Sequence, residues 1–148
     1  LGTRVHQLAM YVVFESPLQM LADSPTHYRA EDESTRFIAR VPTVWDETRV
    51  LAASVSDYVA IARRSGDLWY VGAMTDWDHR VLRLDLGFLP PGEWNVEAFA
   101  DGPNASRNPV DYRRSVTALD AGRVLEVDLA PGGGWVARLE PVADGGSR

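Results

Sequence analysis

Short alternating runs of apolar and polar residues fill the chain from residue 43 to residue 141, and turn residues separate them. A period of two is what a half-buried β-strand requires, because successive side chains point to opposite faces. Such strands with regularly spaced turns indicate a mainly β fold, an antiparallel β-sandwich. The pattern predicts seven or eight strands, at residues 48–51, 58–63, 68–74, 80–86, 94–99, 115–119, 124–129 and 135–139.

The segment 68–74 differs from the other predicted strands because it is apolar almost throughout. A strand that is covered on both faces tends to be apolar at every position rather than at alternate positions. We therefore expect this strand to lie at the centre of its sheet.

The first 42 residues have helical rather than strand periodicity. One helix is expected over residues 3–15, with Thr3 as its N-cap. Pro17 interrupts the pattern and suits the first position of a second, short helix. Residues 31–40 form a third helical candidate. Two or three α-helices therefore precede the predicted sandwich.

The apolar residues from Val5 to Phe14 occupy almost every side of the first helix. Such a helix is buried on more than one face, which is unusual in a chain of 148 residues. We expect it either to fold onto the sandwich or to form a homo-oligomer through the run from Leu8 to Phe14. The chain begins at Leu1 rather than at a methionine, so we expect it to be a piece of something larger.

Composition argues against several classes of function. The net charge of −6 argues against a nucleic-acid partner, since phosphate binding requires a basic surface. All 15 basic residues are arginine and cysteine is absent, which excludes a Schiff-base lysine, thiolate metal sites and a cysteine nucleophile. The most apolar run, Leu8 to Phe14, is far shorter than the roughly 20 residues that span a bilayer, so no membrane partner is expected.

Adjacent carboxylates at Asp46 and Glu47 have the residue types of a glycosidase pair. Neighbours in an extended segment point to opposite faces, however, and catalytic pairs usually come from different elements. We expect a packed Trp45 followed by two acids that are solvated or paired with arginine. A small enzyme centred on Asp46, Glu47 and His79 is the least favoured interpretation.

Two other clusters contain the residue types of a chemical site. The Asp-Trp-Asp-His run at residues 76–79 could ligate a hard cation, but it lies between two predicted strands, where aspartate is ordinary in turns. Asp23, Ser24 and His27 have the residue types of a catalytic triad, yet triads assemble from distant segments. We assign no catalytic residue and no metal ligand to this chain.

Three tryptophans could form a platform for stacking on a sugar ring. Trp69 and Trp94 lie in alternating strands and are expected in the core. Trp77 lies in a turn, so it is the one residue that we assign to carbohydrate binding. The Pro-Gly-Gly-Gly run at residues 131–134 precedes a strand instead of a helix, lacks the helix N-terminus of a phosphate site, and is expected to be a turn.

Five segments, taken together, resemble glycoside hydrolase family 97. The matches occur in order and span nearly the whole chain, so they are specific as a set although each is weak alone. The first of them resembles the end of the family's catalytic domain. The segments are residues 4–20 (RVHQLAMYVVFESPLQM), 42–48 (PTVWDET), 69–75 (WYVGAMT), 101–105 (DGPNA) and 129–135 (LAPGGGW).

The resemblance implies a domain organisation. The family comprises α-glucosidases and α-galactosidases with an N-terminal β-super-sandwich, a central (β/α)8 barrel and a C-terminal β-sandwich described as an oligomerisation region. By resemblance, residues 1–42 are the helical end of the barrel and its connection, residues 43–141 are the C-terminal sandwich, and residues 142–148 are a disordered tail. The family's catalytic carboxylates and calcium site lie upstream, so neither is carried onto a residue of this chain.

The resemblance also implies a function, that of a structural or oligomerising C-terminal part of an enzyme that hydrolyses α-glycosidic bonds with two carboxylates. This chain is expected to be inactive alone, without a cofactor, and to have the upstream barrel as its partner. Calcium and the carbohydrate substrate would be bound by the parent, which is expected to be secreted or periplasmic with its signal outside this chain. The alternative is an independent carbohydrate-binding module that uses Trp77. Glucoside or galactoside specificity, and inversion or retention, depend on upstream residues.

Overall fold

A computed structural model describes residues 2–14, 32–105, 107–108, 111–119 and 122–142. Helices α1 (Arg4–Val13) and α2 (Asp32–Arg40) precede eight strands there. The strands are β1 (Glu47–Ser54), β2 (Tyr58–Ser65), β3 (Leu68–Thr75), β4 (Arg80–Asp85), β5 (Trp94–Asp101), β6 (Tyr112–Ala118), β7 (Val124–Leu129) and β8 (Gly134–Pro141). The helix expected at Pro17, the residues Asp23, Ser24 and His27, and residues 143–148 of the expected tail lie outside the described residues. Val142, the first residue of that tail, is described, and its backbone N donates to the carbonyl oxygen of Glu93 at 2.9 Å.

Every predicted strand is present, and all strand pairs are antiparallel. Six strands form one sheet in the order β1-β2-β3-β8-β5-β6, and β4 pairs with β7 in a second sheet. The strand β3 lies at the centre of the large sheet, between β2 and β8, as its continuous apolar sequence predicts. The fold is therefore the mainly β antiparallel sandwich that the sequence indicated.

One core lies between the two sheets. In β4 and β7, alternate residues such as Leu84 and Leu129 are buried against the large sheet while the residues between them face solvent. Trp69 and Trp94 are each 3% exposed and belong to this core, as expected. The indole Nε1 of Trp94 donates to the carbonyl oxygen of Pro90 at 3.0 Å, so that its polar atom is satisfied at the edge of the core.

A second core lies on the opposite face of the large sheet, which the helices cover. The ring of Phe37 from α2 meets Tyr70 and Phe99 edge to face, with centroid distances of 6.1 and 5.3 Å. The molecule therefore has three layers, and the central strands are buried on both faces, which explains the apolar sequence of β3. The fully buried members of this core are Val5, Leu8, Ala9, Val12, Phe37, Tyr70, Phe99 and Val136.

The helix α1 folds onto the sheet, which is the first of the two arrangements expected for it. Leu8 is 1% exposed and Val12 is fully buried, whereas Phe14, just after the helix, is 45% exposed. The chain itself covers most of the run from Leu8 to Phe14, which disfavours the second arrangement. A homo-oligomer through this run stays a prediction. In the described ranges, no helix combines the length and the hydrophobicity needed to cross a membrane.

Candidate functional site

The helix α1 packs against the large sheet at two glycine residues. A Cβ atom added to Gly72 in β3 would lie 3.0 Å from the carbonyl oxygen of Ala9 and 3.1 Å from Cβ of Val12. A Cβ atom added to Gly134 in β8 would lie 2.6 Å from Cα of His6. A backbone atom of α1 cannot shift without moving the rest of the helix, so a larger residue at either position would clash with it. Only glycine lets the two backbones come this close. We call Gly72 and Gly134 the helix seat.

The turn between β7 and β8 holds the first turn of α1. Thr3 is the N-cap, since its Oγ1 accepts from the backbone N of His6 at 3.0 Å, and its own N donates to the carbonyl oxygen of Gly132 at 3.0 Å. The Nδ1 atom of His6 lies 3.0 Å from the same oxygen, which requires a proton on Nδ1. Burial is the main cause that lowers the pKa of His6. A neutral ring is therefore favoured here.

A buried carboxylate supports this turn from the end of β5. Asp101 is 9% exposed, and its Oδ2 accepts from the backbone N of Ala130 at 3.2 Å and of Gly134 at 3.1 Å. Burial raises the pKa of Asp101, and the hydroxyl of Thr3 and the two backbone amides act against that rise. A Cβ atom on Gly133 would collide with the carboxylate, so this glycine leaves room for it.

An arginine of β2 holds the C-terminal end of α1. Arg63 is 7% exposed, and its Nη2 donates to the carbonyl oxygen of Val13 at 2.8 Å. Its guanidinium also lies 6.0 Å from the ring centroid of Trp45, which packs edge to face on Tyr70 as a packed tryptophan should. The last turn of α1 contains no basic residue of its own. Arg63 therefore supplies, from the sheet, the cation that a helix C-terminus favours.

Arginine also engages the two candidate acids after Trp45. Arg64 Nη1 lies 3.7 Å from Asp46 Oδ2, and Arg64 Nε lies 3.3 Å from Glu47 Oε1. Glu47 pairs with Arg49 at 2.9 Å as well, and Asp46 accepts from the backbone N of Gly66 at 2.8 Å. The two acids therefore neutralise arginines at the start of β1, which is the arrangement expected from the sequence.

In the turn between β3 and β4, the guanidinium of Arg80 lies among three carboxylates. Arg80 Nη2 lies 3.6 Å from Asp76 Oδ1, 3.5 Å from Asp78 Oδ2 and 3.9 Å from Asp57 Oδ1. The side chain of His79 instead pairs with the carboxylate of Asp128 in β7. Within the described ranges, no three histidine, cysteine or acidic side chains are grouped to hold a metal ion. Arg80 provides the positive charge among these acids.

Trp77 projects from the same turn and is 71% exposed, as expected of a tryptophan in a turn. Its ring rests on Gly132, where an added Cβ atom would lie 2.7 Å from the ring carbon Cζ3. Gly132 has a φ of 66°, in the left-handed region that favours glycine. Both this backbone conformation and the contact with the ring of Trp77 therefore require glycine at this position. The assignment of Trp77 to carbohydrate binding stays a prediction.

Sequence reasoning missed the residues that fix α1, namely Arg63, Asp101, His6 and the helix seat. A signal existed for Gly72, because a glycine inside a strand of bulky apolar residues indicates the close approach of another backbone. No local signal existed for Arg63, whose partner Val13 is 50 residues away in the sequence.

Comparisons with known proteins point to one family. Residues 44–140 match the family described as glycosyl-hydrolase 97 C-terminal, oligomerisation. The chain is 48% identical over 139 residues to a retaining α-galactosidase of Bacteroides thetaiotaomicron, which covers 94% of this chain and 21% of that protein. The chain thus spans about a fifth of the length of the curated relatives it matches.

Solved structures give the same result. A glycoside hydrolase family 97 enzyme from Pseudoalteromonas sp. strain K8, in complex with acarbose, has a TM-score of 0.88 and 36% identity, over 95% of this chain and 23% of that one. A β-arabinopyranosidase has a TM-score of 0.76 and 28% identity, over 93% of this chain and 21% of that one. The chain belongs to the family of glycosyl-hydrolase 97 C-terminal domains, the oligomerisation domains of these enzymes.

Proposed function

We propose that this chain is the C-terminal part of an enzyme that hydrolyses α-galactosides with retention, and that α1 joins its sandwich rigidly to the rest of that enzyme. The observation that carries the proposal is the position of α1. This helix lies outside the residues that match the domain family, 44–140, yet its backbone rests directly on the sheet at the helix seat. The helix α1, which precedes the sandwich in the sequence, is therefore fixed to it.

Galactosides are the proposed substrates because the identity to a relative named as a retaining α-galactosidase, 48%, exceeds the 36% to the family member solved with acarbose. Retention requires a carboxylate nucleophile and a second carboxyl group about 5–5.5 Å from it. The candidate acids at the start of β1 are instead held by Arg64. We therefore assign the catalytic pair, and any calcium that the enzyme uses, to the part that precedes this chain.

Hydrolysis of nitrophenyl α-D-galactopyranoside and α-D-glucopyranoside tests this assignment. The complete enzyme should prefer the galactoside, and the isolated chain should hydrolyse neither. In the complete enzyme, Glu47→Gln and Asp46→Asn should leave kcat/KM little changed. Activity of the isolated chain that Glu47→Gln abolishes would instead support a small enzyme centred on these acids.

The oligomerising role needs a free surface, and we propose the edge strand β6. Within the described chain β6 pairs with β5 on one side, and its residues from Arg113 to Ala118 are all exposed. Val116 is 58% exposed on this strand. The opposite edge strand, β1, has an irregular register between Val50 and Ala52, and such bulges hinder pairing with another chain.

Light scattering of the isolated chain tests the β6 edge. Self-association should raise the molar mass with concentration, and Val116→Arg should return it toward that of a monomer because a charge would enter the apolar part of the interface. Val81→Arg is the matched control, since Val81 is 51% exposed on β4. A monomer at every concentration, or equal effects of the two substitutions, would refute the β6 interface.

A further inference from the structure

A second exposed apolar surface lies at the end of the sandwich where α1 begins. Val55, at the tip of the turn between β1 and β2, is 94% exposed, and Trp77 is 71% exposed. Beside Val55 is a groove of about 400 Å³ whose lining includes Tyr58, Met74 and His6. We call Val55, Trp77 and this groove the entry patch.

Hydrogen bonds between turns make the entry patch rigid. The backbone N of Asp76 donates to the carbonyl oxygen of Asp57 at 2.9 Å, which joins the β3–β4 turn to the β1–β2 turn. The backbone N of Gly132 donates to the carbonyl oxygen of Asp76 at 2.6 Å, which adds the β7–β8 turn. Exposed apolar side chains on a surface that is already ordered are typical of an interaction site.

The chain enters the domain next to this patch. A Cβ atom added to Gly132 would lie 2.7 Å from the ring of Trp77 and 3.5 Å from Cα of Gly2, so both are neighbours of the same turn. The match to the Bacteroides relative covers 21% of that protein, which leaves most of its length outside this region. Whatever precedes Gly2 in the complete enzyme therefore arrives at the entry patch.

We propose that the entry patch is covered by the preceding domain of the same polypeptide, which packs on Val55 and Trp77. The inference rests on the proposed function, because it requires that the chain be the C-terminal part of a larger enzyme. Beyond that function, the inference identifies the surface through which the two domains touch. In the complete enzyme α1 and the entry patch together form the junction, with the helix fixed by the seat and the turns pressed against the neighbouring domain.

A sugar is the other ligand that an exposed tryptophan serves, and the surroundings of Trp77 disfavour it. A sugar site needs polar groups that are free to bond with hydroxyl groups. The carboxylates of Asp57, Asp76 and Asp78 all lie within 3.9 Å of Nη2 of Arg80, so they are already ion-paired. Asp57 and Asp76 also accept hydrogen bonds from within the chain. The side chain of Val55 adds exposed apolar area and has no hydrogen-bonding group, which suits a protein partner better than a sugar.

Hydroxyl-radical footprinting tests the proposal without any substitution. Trp77 and Val55 should be labelled strongly in the isolated chain and should lose most of that labelling in the complete enzyme. Val81, which is 51% exposed on β4, is the internal control and should be labelled alike in both samples. Equal labelling of Trp77 in the two proteins would overturn the proposal.

Two further outcomes would also overturn it. Protection of Trp77 in the isolated chain that grows with protein concentration would assign the patch to a second copy. Protection by added methyl α-galactoside would assign it to a sugar. The hydrolysis of α-galactosides by the same complete enzyme reports on the proposed function separately, so failure of one is distinguishable from failure of the other.

Discussion

The carboxylate of Asp101 holds the turn between β7 and β8 through two backbone amides. Burial raises its pKa, because the ionised form has lost much of its hydration in the folded state. A neutral acceptor of the same shape would keep these hydrogen bonds without that cost. The residue therefore serves as an acceptor, and its charge is not what stabilises the turn.

Asp101→Ala is expected to lower the free energy of unfolding by about 2–3 kcal/mol, because it leaves buried backbone amides unpaired. Asp101→Asn should cost less than about 1 kcal/mol, since its carbonyl oxygen can accept from the same amides. Urea unfolding near neutral pH, followed by tryptophan fluorescence, measures both. Equal losses for the two variants would show that the negative charge itself is required.

His6 should make stability depend on pH. Burial is the main cause that holds its pKa in the folded state below the ordinary value of 6.5. The contribution of His6 is therefore complete above pH 6.5 and declines as the pH falls below it, because the unfolded chain then binds a proton that the folded chain excludes. His6→Asn should flatten the free energy of unfolding between about pH 7.5 and 5.5. A slope that His6→Asn leaves unchanged would contradict this role.

At the scale of elements, α1 is held by other parts of the chain at both ends and along its length. Thr3 and Gly132 fix its start, Arg63 fixes its end, and the helix seat receives its middle. Its helical structure depends on tertiary packing, as short helices generally do.

Gly134→Ala is expected to lower the free energy of unfolding by about 2–3 kcal/mol, because the added methyl group would press on the backbone of His6. Gly87→Ala is the matched control: its Cβ atom would meet the Asp85 side chain at 3.1 Å, which can move. The control should change stability by less than about 0.5 kcal/mol. Equal urea midpoints for both variants would show that α1 is not seated as described.

Arg63→Met should release the last turn of α1, since the carbonyl oxygen of Val13 would lose a charged donor worth about 2–3 kcal/mol. Arg83→Met is the control, because Arg83 is exposed and lies 4.0 Å from Glu126, a pair worth at most about 0.5 kcal/mol. Hydrogen exchange should become faster in the α1 amides near Val13 and stay slow in β3. Unchanged exchange in α1 would refute the role of Arg63.

The strands could be predicted from the sequence more fully than their arrangement. Alternation and turn residues located all eight strands, and the apolar run of β3 indicated its central place. The insertion of β8 between β3 and β5 could not be predicted, because it depends on pairs such as Trp69 with Leu139 that no turn connects. The all-round apolar α1 indicated burial on more than one face, without showing which surface would cover it.

At the scale of the molecule, the six-stranded sheet is the central layer, with helices on one face and the β4–β7 pair on the other. The candidate acids were interpreted correctly: Asp46 and Glu47 both pair with Arg64 on the neighbouring strand β2, and Glu47 also pairs with Arg49, two residues away. The contacts that join α1 to the sheet are long-range, and single-sequence patterns do not contain them. The exposure of Trp77 was predictable from its turn, whereas its place beside Gly2 was not.

We predict that calcium leaves the isolated chain unaffected, because we assign any calcium of the complete enzyme to the part that precedes this chain. We expect the Tm of the isolated chain to be the same with calcium and with a chelator, since an ion that binds the folded state would raise it by mass action. Differential scanning calorimetry measures this. A rise in Tm with calcium would place a site in this chain.

The helix seat also bears on how such enzymes can be recombined. Where two backbones touch without intervening side chains, neither surface can be altered alone, so α1 and the large sheet behave as a matched pair. A chimaera cut at residue 43 would set this sandwich against a foreign helix with bulkier or differently spaced contacts. A cut ahead of Thr3 transfers helix and sheet together, and the interchangeable module is therefore larger than the sandwich.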